Sequence, residues 1–168
     1  MHIKYEKYIV YALLLVGAIS YALFSYIPNR ELRGEFGTVK YVIDGDTIQL
    51  TDGRTVRYIG IDAPETQKKT QTGQCFADES TNANKKLVNG AQIRMAKDIS
   101  NKDKYGRLLR YVYVDNIFVN QYLVENGFAI AKAYLPDVYY KQEFKSAQEK
   151  SKTEKKGLWA DNACTNQK

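Results

Sequence analysis

The hydrophobic pattern of the chain begins with an uninterrupted apolar run. Residues 8–27 (YIVYALLLVGAISYALFSYI) contain no charged side chain, and Lys4 and Lys7 precede them. At about 1.5 Å of rise per residue, a helix over this run is about 30 Å long, which matches the hydrocarbon thickness of a bilayer. The run lacks the polar stripe that a helix packed on a globular core presents to solvent. We therefore predict a hydrophobic helix within residues 1–27, serving as a membrane anchor or as a signal peptide.

The length of this run and its aromatic residues favour a retained anchor. The apolar region of a signal peptide usually has about 7–15 residues, and Tyr21 and Tyr26 suit an interfacial position. Residues 18–20 (AIS) are nevertheless a passable cleavage site, so both alternatives stay open. We expect a short tether at 28–35 and a domain at 36–168 to follow, with the domain outside the cell, either held at the cell membrane or secreted.

Alternating and β-branched residues predict three strands at the start of the domain. The first covers residues 36–43 (FGTVKYVI), the second 47–50 and the third 54–61 (RTVRYIGI). Asp-Gly turn signals at 44–45 and 52–53 separate them. The three segments therefore form a predicted antiparallel meander, in which Arg57 shares one face with Ile59 and Ile61.

Beyond the meander, helical and strand patterns alternate. Glycines that suit helix C-termini, Gly90, Gly127 and Gly157, end the three helical segments. The predicted elements are a helix at 76–89, strands at 91–97 and 107–114, a short helix at 119–126, a short strand at 128–133 and a charged helix at 137–156. About five strands with two to three helices, meander first, are typical of an α+β, mainly β, fold in which the helices flank a small barrel.

Composition removes several kinds of catalytic site. The 168 residues include one histidine, His2, at the extreme N-terminus. A histidine base, nucleophile or metal ligand is therefore not expected, and two cysteines without a usable histidine argue against a zinc site. In an oxidising compartment Cys75 and Cys164 could form a disulfide, and two unpaired thiols are the alternative.

The charge balance favours a polyanionic partner. The formal net charge is +6, and it is still +5 when residues 1–27 are set aside. The basic excess therefore belongs to the folded domain rather than to the apolar segment. Such an excess raises the local concentration of anions such as nucleic acids, without proving that one binds.

Acidic residues around the meander predict a candidate cation site. Asp44 and Asp46 flank a glycine in the first turn, where two carboxylates can offer oxygen ligands to a hard cation such as Ca²⁺. The same Asp-Gly-Asp sequence also makes a good hairpin turn without any ligand. Asp62 and Glu65 follow the third strand where it opens into a loop. They are either functional or simply solvated loop carboxylates.

Two arginines and a loop tyrosine predict a phosphate-binding surface. Arg57 lies in the middle of the third predicted strand, and the planar fork of an arginine suits a phosphate. Lys104, Tyr105 and Arg107 occupy the glycine-containing loop 103–107, where two cations and one aromatic ring can hold a nucleotide. A charged hairpin loop with no ligand is the alternative.

Together these groups suit phosphodiester hydrolysis. That reaction needs an activated water, cations that stabilise the charge developing on the phosphoryl oxygens, and a positioned metal ion. Because no usable histidine is present, a carboxylate is the natural base. The two arginines supply the cations, and the paired aspartates supply the metal ligands.

Four motifs resemble those of the staphylococcal nuclease (thermonuclease) family. They are VIDGDT at 42–47, RYIGIDAPET at 57–66, DKYGR at 103–107 and GLW at 157–159. Their spacing agrees with the family pattern, and the resemblance covers residues from about 36 to 162. It implies a five-stranded OB-fold barrel and a Ca²⁺-dependent endonuclease that acts on DNA and RNA and leaves 3′-phosphates.

The resemblance also assigns roles residue by residue. Asp46 and Asp62 would ligate Ca²⁺ with the backbone carbonyl of Ala63, and Glu65 would be the general base, although a role in orienting water or loop is a variant. Arg57 and Arg107 would bind the phosphate. The implied nucleotide contacts are Lys104, Tyr105 and Tyr134. We expect a monomer that favours single-stranded or frayed nucleic acid and contacts a membrane only if the N-terminal segment is retained.

A catalytically silent OB-fold module that only binds nucleic acid at a membrane surface is the rival hypothesis. Binding alone would not need a carboxylate beside the phosphates, so the joint presence of Arg57, Glu65 and Arg107 favours the enzyme. A purely structural tether is a third reading, under which this set of residues would be a coincidence. Metal-dependent cleavage distinguishes the first hypothesis from the other two.

Overall fold

The computed structural model describes residues 11, 13–17, 34–67 and 73–164. The chain divides into two compact units, Met1–Glu31 and Leu32–Lys168. In the first unit, the described residues 11 and 13–17 are helical. No helix within the described residues combines the length and apolar character needed to cross a membrane. Most of the predicted run 8–27 and of the tether lies outside the described residues, so the anchor and the signal peptide both stay predictions.

The second unit contains eight strands and three α-helices among its described residues. The strands are β1 (Gly34–Asp44), β2 (Thr47–Leu50), β3 (Thr55–Tyr58), β4 (Ile61–Asp62), β5 (Gln92–Ala96), β6 (Leu108–Val114), β7 (Ile117–Phe118) and β8 (Ile130–Ala131). The helices are α1 (Ala77–Val88), α2 (Val119–Glu125) and α3 (Lys141–Thr153), followed by a 3₁₀ turn at Gly157–Trp159.

Five of these strands close into a barrel. The long strand β1 pairs with both β2 and β5, and β2–β3 and β5–β6 are also antiparallel pairs. A parallel pairing of β3 with β6 joins the two ends of the sheet. This arrangement confirms the predicted meander and the predicted mainly β OB-fold barrel with about three helices.

The barrel interior forms the hydrophobic core. Alternate residues of the barrel strands point inward and are completely buried, as the pleat of a strand requires. The fully buried side chains include Ile48, Leu50, Val56, Ile93, Met95 and Val112. The helices add Val88, Leu123 and Phe144 to the same cluster. The core thus fixes the barrel wall from which the candidate site is built.

The prediction of one continuous strand over 54–61 is wrong. The chain leaves the barrel after Tyr58, and Gly60 adopts a φ of +78°, which favours glycine. A Cβ atom at Gly60 would lie 2.6 Å from the ring of Phe144, so space also requires glycine there. Beyond this break, Ile59 and Ile61 are both buried. They therefore do not continue the face that carries Arg57.

The last helix is shorter than the predicted 137–156. It begins at Lys141 and ends at Thr153. Asp137 does not start the helix because its carboxylate accepts hydrogen bonds from the backbone N–H groups of Ile99 and Ser100, at 2.9 and 2.7 Å. This contact instead fastens the segment before α3 to the loop that precedes β6.

Cys75 and Cys164 form a disulfide in the structure, with Cα atoms 5.6 Å apart. The bond joins the segment before α1 to the C-terminal segment after the 3₁₀ turn. The loop that it closes spans 89 positions of the sequence and contains the barrel strands β5 and β6. Both half-cystines lie within the described part of the chain.

Candidate functional site

A cavity of about 640 Å³ lies beside β3, β4 and the loop before β6. Its lining includes residues from three separate segments of the chain, 57–65, 100–109 and 132–137. The residues that sequence analysis selected and that line it are Arg57, Asp62, Glu65, Lys104, Tyr105, Arg107 and Tyr134. Asp46 and Ala63 are not in this lining, but Asp46 is paired with Arg57, which lines the cavity, and Ala63 is hydrogen-bonded to Asp46.

The Arg57 guanidinium binds both of the predicted metal-ligand carboxylates. Its Nη2 atom lies 3.0 Å from Asp46 Oδ2 and 2.9 Å from Asp62 Oδ1. Its Nη1 atom donates to the backbone carbonyls of Tyr58 and Ile61, at 2.7 and 3.0 Å. These carbonyls belong to the segment where the chain turns out of the barrel. The break at Gly60 thus supplies acceptors that hold Arg57 in place.

Asp46 is positioned by the buried turn between β1 and β2. Its backbone N–H donates to Asp44 Oδ1 at 3.1 Å, and Asn84 of α1 donates to the Asp44 carbonyl at 3.0 Å. The Asp46 carboxylate also accepts from the Thr47 hydroxyl at 3.1 Å. The Asp-Gly-Asp sequence is therefore a tight turn that also presents a buried carboxylate.

Burial raises the pKa of Asp46 well above its usual value of 3.8. The Arg57 guanidinium opposes this rise, and the nearby Asp44 carboxylate adds to it. The side chain of Asp46 is only 5% exposed, whereas that of Asp62 is 32% exposed. The ionised form of Asp46 therefore depends on cationic neighbours, and Asp62 is the carboxylate that faces the cavity.

The oxygen atoms around Asp46 fit a hard cation in their chemistry. The backbone of Ala63 is adjacent, because its N–H donates to Asp46 Oδ2 at 2.7 Å. Two carboxylates converging with a backbone segment offer oxygen ligands, which Ca²⁺ prefers. Across the described residues, no group of three or more His, Cys, Asp or Glu side chains is arranged to hold a metal ion. Calcium here would accordingly need water or substrate oxygens to complete its coordination.

Glu65 lies at the base of a loop that two hydrogen bonds close. Its backbone N–H donates to the Gln74 side-chain oxygen at 3.0 Å, and the Gln74 N–H donates to the Glu65 carbonyl at 2.9 Å. Gln74 directly precedes Cys75, one half of the disulfide. The backbone of Glu65 is therefore hydrogen-bonded to Gln74, the residue next to the disulfide that joins this part of the chain to the C-terminal segment.

The loop that carries Lys104, Tyr105 and Arg107 is a rigid hairpin closed by Asp103. The Asp103 carboxylate accepts from the backbone N–H groups of Tyr105 and Arg107 and from Arg107 Nε, the last at 2.7 Å. Tyr105 is 73% exposed. Lys104 Nζ and Arg107 Cζ lie 5.0 and 5.5 Å from the centre of its ring. The hairpin thus presents one exposed aromatic ring with two cations near it.

We expect the Asp103→Asn variant to lose more stability at neutral pH than in acid. Burial alone would raise the pKa of Asp103, but the hydrogen bonds from Arg107 and Tyr105 outweigh it and lower the pKa below 3.8. The ionised carboxylate therefore stabilises the fold at any pH above that value, and this contribution is lost as the pH falls through the lower folded pKa. Urea unfolding at neutral pH and at about pH 2 measures the difference. An equal loss of unfolding free energy at both pH values would contradict the assignment.

Lys132 is a site residue that sequence analysis missed. Its Nζ atom lies 2.7 Å from Asp62 Oδ2, and this hydrogen bond raises the pKa of Lys132. Lys132 follows β8, whose antiparallel pairing with β4 places it opposite Gly60, where its N–H donates to the Gly60 carbonyl at 2.8 Å. The only signal in the sequence was one lysine within the short predicted strand 128–133. Asp62 is therefore held by a cation on each of its two oxygens.

The rim of the cavity carries two exposed apolar side chains. Tyr134 is 62% exposed and Leu135 is 87% exposed, and both line the cavity. The ring of Tyr134 lies 5.7 Å from Lys132 Nζ. Tyr134 and Tyr105 thus offer the site two accessible rings, as the sequence had suggested for a nucleotide contact, and Leu135 is an apolar contact that it had not suggested.

Comparisons with known proteins find related sequences over most of the chain. Residues 55–161 match the family model described as staphylococcal nuclease homologue. A thermonuclease of Staphylococcus intermedius is 36% identical over 158 residues, which cover 88% of this chain and 94% of that protein. In Bacillus subtilis (strain 168), the SPbeta prophage-derived endonuclease YokF is 40% identical over 130 residues, covering 74% of this chain and 44% of the relative. Endonuclease YncB of the same organism is 38% identical over 128 residues, covering 73% and 61%. This chain spans less than two thirds of the length of the two Bacillus relatives.

Proposed function

The chain belongs to the staphylococcal nuclease family, and from that premise we propose that it is an endonuclease that hydrolyses phosphodiester bonds of DNA and RNA. The observation that carries the proposal is the presence of Arg57, Arg107 and Glu65 in the lining of one cavity. Two guanidinium groups suit a phosphoryl group that gains negative charge, and a carboxylate suits the removal of a proton from water. The names of the thermonuclease and endonuclease relatives support the same reaction.

Calcium is the proposed metal ion, held by Asp46, Asp62 and the backbone carbonyl of Ala63. Support comes from the all-oxygen donor set and from the buried Asp46 carboxylate, whose ionised form a cation would favour. When bound, Ca²⁺ would supply Lewis-acid stabilisation of negative charge on the reacting phosphate. Arg57 also neutralises the same two carboxylates.

In the proposed reaction, Glu65 accepts a proton from the attacking water. The water oxygen bonds to phosphorus as the bond to the 5′-oxygen breaks, the phosphate remains on the 3′ side, and the leaving 5′-oxygen takes a proton from solvent water to become a hydroxyl. Arg57 and Arg107 bind the non-bridging oxygens, where charge accumulates in the transition state. Lys132 and Arg57 keep Asp62 in one orientation through its two oxygens.

The proposed substrate is a single-stranded or frayed nucleic acid. Tyr105 and Tyr134 are exposed rings at the cavity, and aromatic stacking requires bases that are not stacked in a duplex. Stacking and phosphate contacts tolerate every base and either sugar, so they support activity on both DNA and RNA.

Incubation of the full chain with single-stranded DNA and with RNA, in Ca²⁺ and in a chelator, tests this function. We expect cleavage of both polymers in Ca²⁺, no cleavage in chelator, and products that carry 3′-phosphates. If the chain binds the oligonucleotides but leaves them intact under every metal condition, the silent binding module replaces the enzyme. Cleavage in chelator at an undiminished rate would refute the calcium assignment.

A further inference from the structure

A second cavity of about 450 Å³ lies on the other side of the Tyr105 hairpin. It shares Tyr105 and Arg107 with the first cavity, so one hairpin separates the two and contributes to both. None of the motifs that define the candidate active site requires the other residues of its lining, among them Arg54, Lys102 and Asp52. The second cavity therefore extends the surface around the candidate active site beyond the residues that are proposed to react.

The two cavities differ in their balance of charge. The first is lined by four cations and four carboxylates, namely Arg57, Lys104, Arg107 and Lys132 with Asp62, Glu65, Asp103 and Asp137. The second is lined by three cations and one carboxylate, namely Arg54, Lys102 and Arg107 with Asp52. Arg54 and Arg107 are paired with carboxylates of Asp52, Glu35 and Asp103, so the uncompensated positive charge at the second cavity is that of Lys102, and such a charge favours an anionic occupant.

Lys102 is the cation of this cavity that neither takes part in the proposed reaction nor forms an ion pair among the described residues. Arg54 already binds Asp52 at 2.7 Å and Glu35 at 2.9 Å, and Arg107 binds Asp103 at 2.7 Å. Lys102 is exposed, and the ion pairs found among the described residues do not include it. An incoming anion would thus meet Lys102 without having to displace a carboxylate from it.

The hairpin backbone fixes Lys102 relative to Tyr105. Lys102 pairs with Leu108 in an antiparallel bridge, and the Asp103 N–H donates to the Arg107 carbonyl at 3.0 Å. The Gly106 N–H closes the tip by donating to the Asp103 carbonyl at 3.1 Å. A cation and an exposed ring are therefore held on one stiff element. Proteins that bind single strands combine these two features along the path of the strand.

We propose that the second cavity binds another backbone phosphate of the single-stranded polynucleotide that the first cavity cleaves. This phosphate belongs to a nucleotide next to the two nucleotides that the scissile bond joins. The strand passes over Tyr105, and Lys102 binds the flanking phosphate. This inference rests on the proposed function, because it places the scissile phosphate in the first cavity. The inference adds that the affinity for a nucleic acid increases with its number of nucleotides, because a substrate of two nucleotides does not extend to the second cavity.

The test compares wild type with Lys102→Gln in the full chain. The matched control is Lys86→Gln, because Lys86 is also exposed but lies on α1 and outside both cavity linings. For a single-stranded DNA of about twelve nucleotides, we expect Lys102→Gln to raise KM about 3- to 10-fold without changing kcat, and to reduce the salt dependence of binding by about 0.7 in the log–log slope. For a dinucleotide, both parameters should equal those of wild type.

Failure of this inference is distinguishable from failure of the proposed function. The flanking subsite is refuted if Lys102→Gln changes KM equally for the oligonucleotide and the dinucleotide. It is also refuted if Lys102→Gln changes KM for the oligonucleotide no more than Lys86→Gln does. If wild type cleaves neither substrate, the proposed function fails. In that case the change in oligonucleotide affinity and in salt slope, measured by fluorescence anisotropy, still decides whether Lys102 binds a phosphate.

Discussion

Replacing Arg107 by glutamine is expected to lower kcat on single-stranded DNA by about 10²- to 10³-fold, with a much smaller change in KM. Arg107 lines the first cavity beside Glu65 and Asp62. Glutamine keeps a similar length but removes both the charge and the fork that can bind two phosphoryl oxygens. A group that acts mainly on charge developing in the transition state affects kcat more than it affects substrate binding.

Two further variants separate this effect from loss of structure. Arg107→Lys retains the charge without the fork, and we expect its kcat to lie between those of wild type and Arg107→Gln. Arg94→Gln is the matched control, because Arg94 packs 4.0 Å above the ring of Tyr113 and does not line the cavity. If Arg94→Gln lowers kcat as much as Arg107→Gln does, or if Arg107→Gln retains wild-type kcat, Arg107 has no role in the chemistry.

Removing the disulfide is expected to lower the free energy of unfolding by up to about 4–5 kcal/mol. The bond between Cys75 and Cys164 spans 89 positions, and a loop of that length restricts the unfolded chain strongly. The double variant Cys75→Ser/Cys164→Ser, compared with oxidised wild type by urea unfolding, measures this contribution. A loss of this size is a large part of the stability of an ordinary domain.

Reductant supplies the control for the disulfide prediction. It should bring wild type close to the double variant and leave the double variant unchanged. Because Gln74 lies beside Cys75 and holds the backbone of Glu65, we also expect kcat to fall in the variant under conditions where it remains folded. Identical unfolding free energies for oxidised and reduced wild type would show that the bond contributes nothing to stability.

Local signals in the sequence were sufficient for the meander and for most of the site. Asp-Gly turns bracket β2 directly, so the pairing of β1, β2 and β3 follows from neighbouring segments. The residues of the two acidic motifs and of the DKYGR hairpin then lie near one another because they end or join barrel strands. The joint appearance of the second acidic motif and the hairpin in one cavity, with Asp46 paired to Arg57 behind it, could therefore be anticipated from motifs whose spacing agrees with one family.

Contacts between distant short segments were not predictable in the same way. The parallel pairing of β3 with β6 that closes the barrel joins residues about fifty positions apart and has no turn signal. β4 and β8 have two residues each, too few to show a period, so the approach of Lys132 to Asp62 was invisible. The sequence pattern did not predict the break at Gly60, because the alternation of Val56 and Tyr58 with their neighbours continues through it.

The most direct test of the central claim is the single-turnover rate of cleavage by Glu65→Gln, measured in Ca²⁺ with an end-labelled single-stranded DNA at saturating protein. Glutamine preserves the shape of the side chain but cannot accept the proton from water. The account predicts a rate at least about 10²-fold below wild type with unchanged affinity for the DNA. A Glu65→Gln variant that binds and cleaves at the wild-type rate would contradict the claim that this cavity hydrolyses phosphodiester bonds with Glu65 as its base.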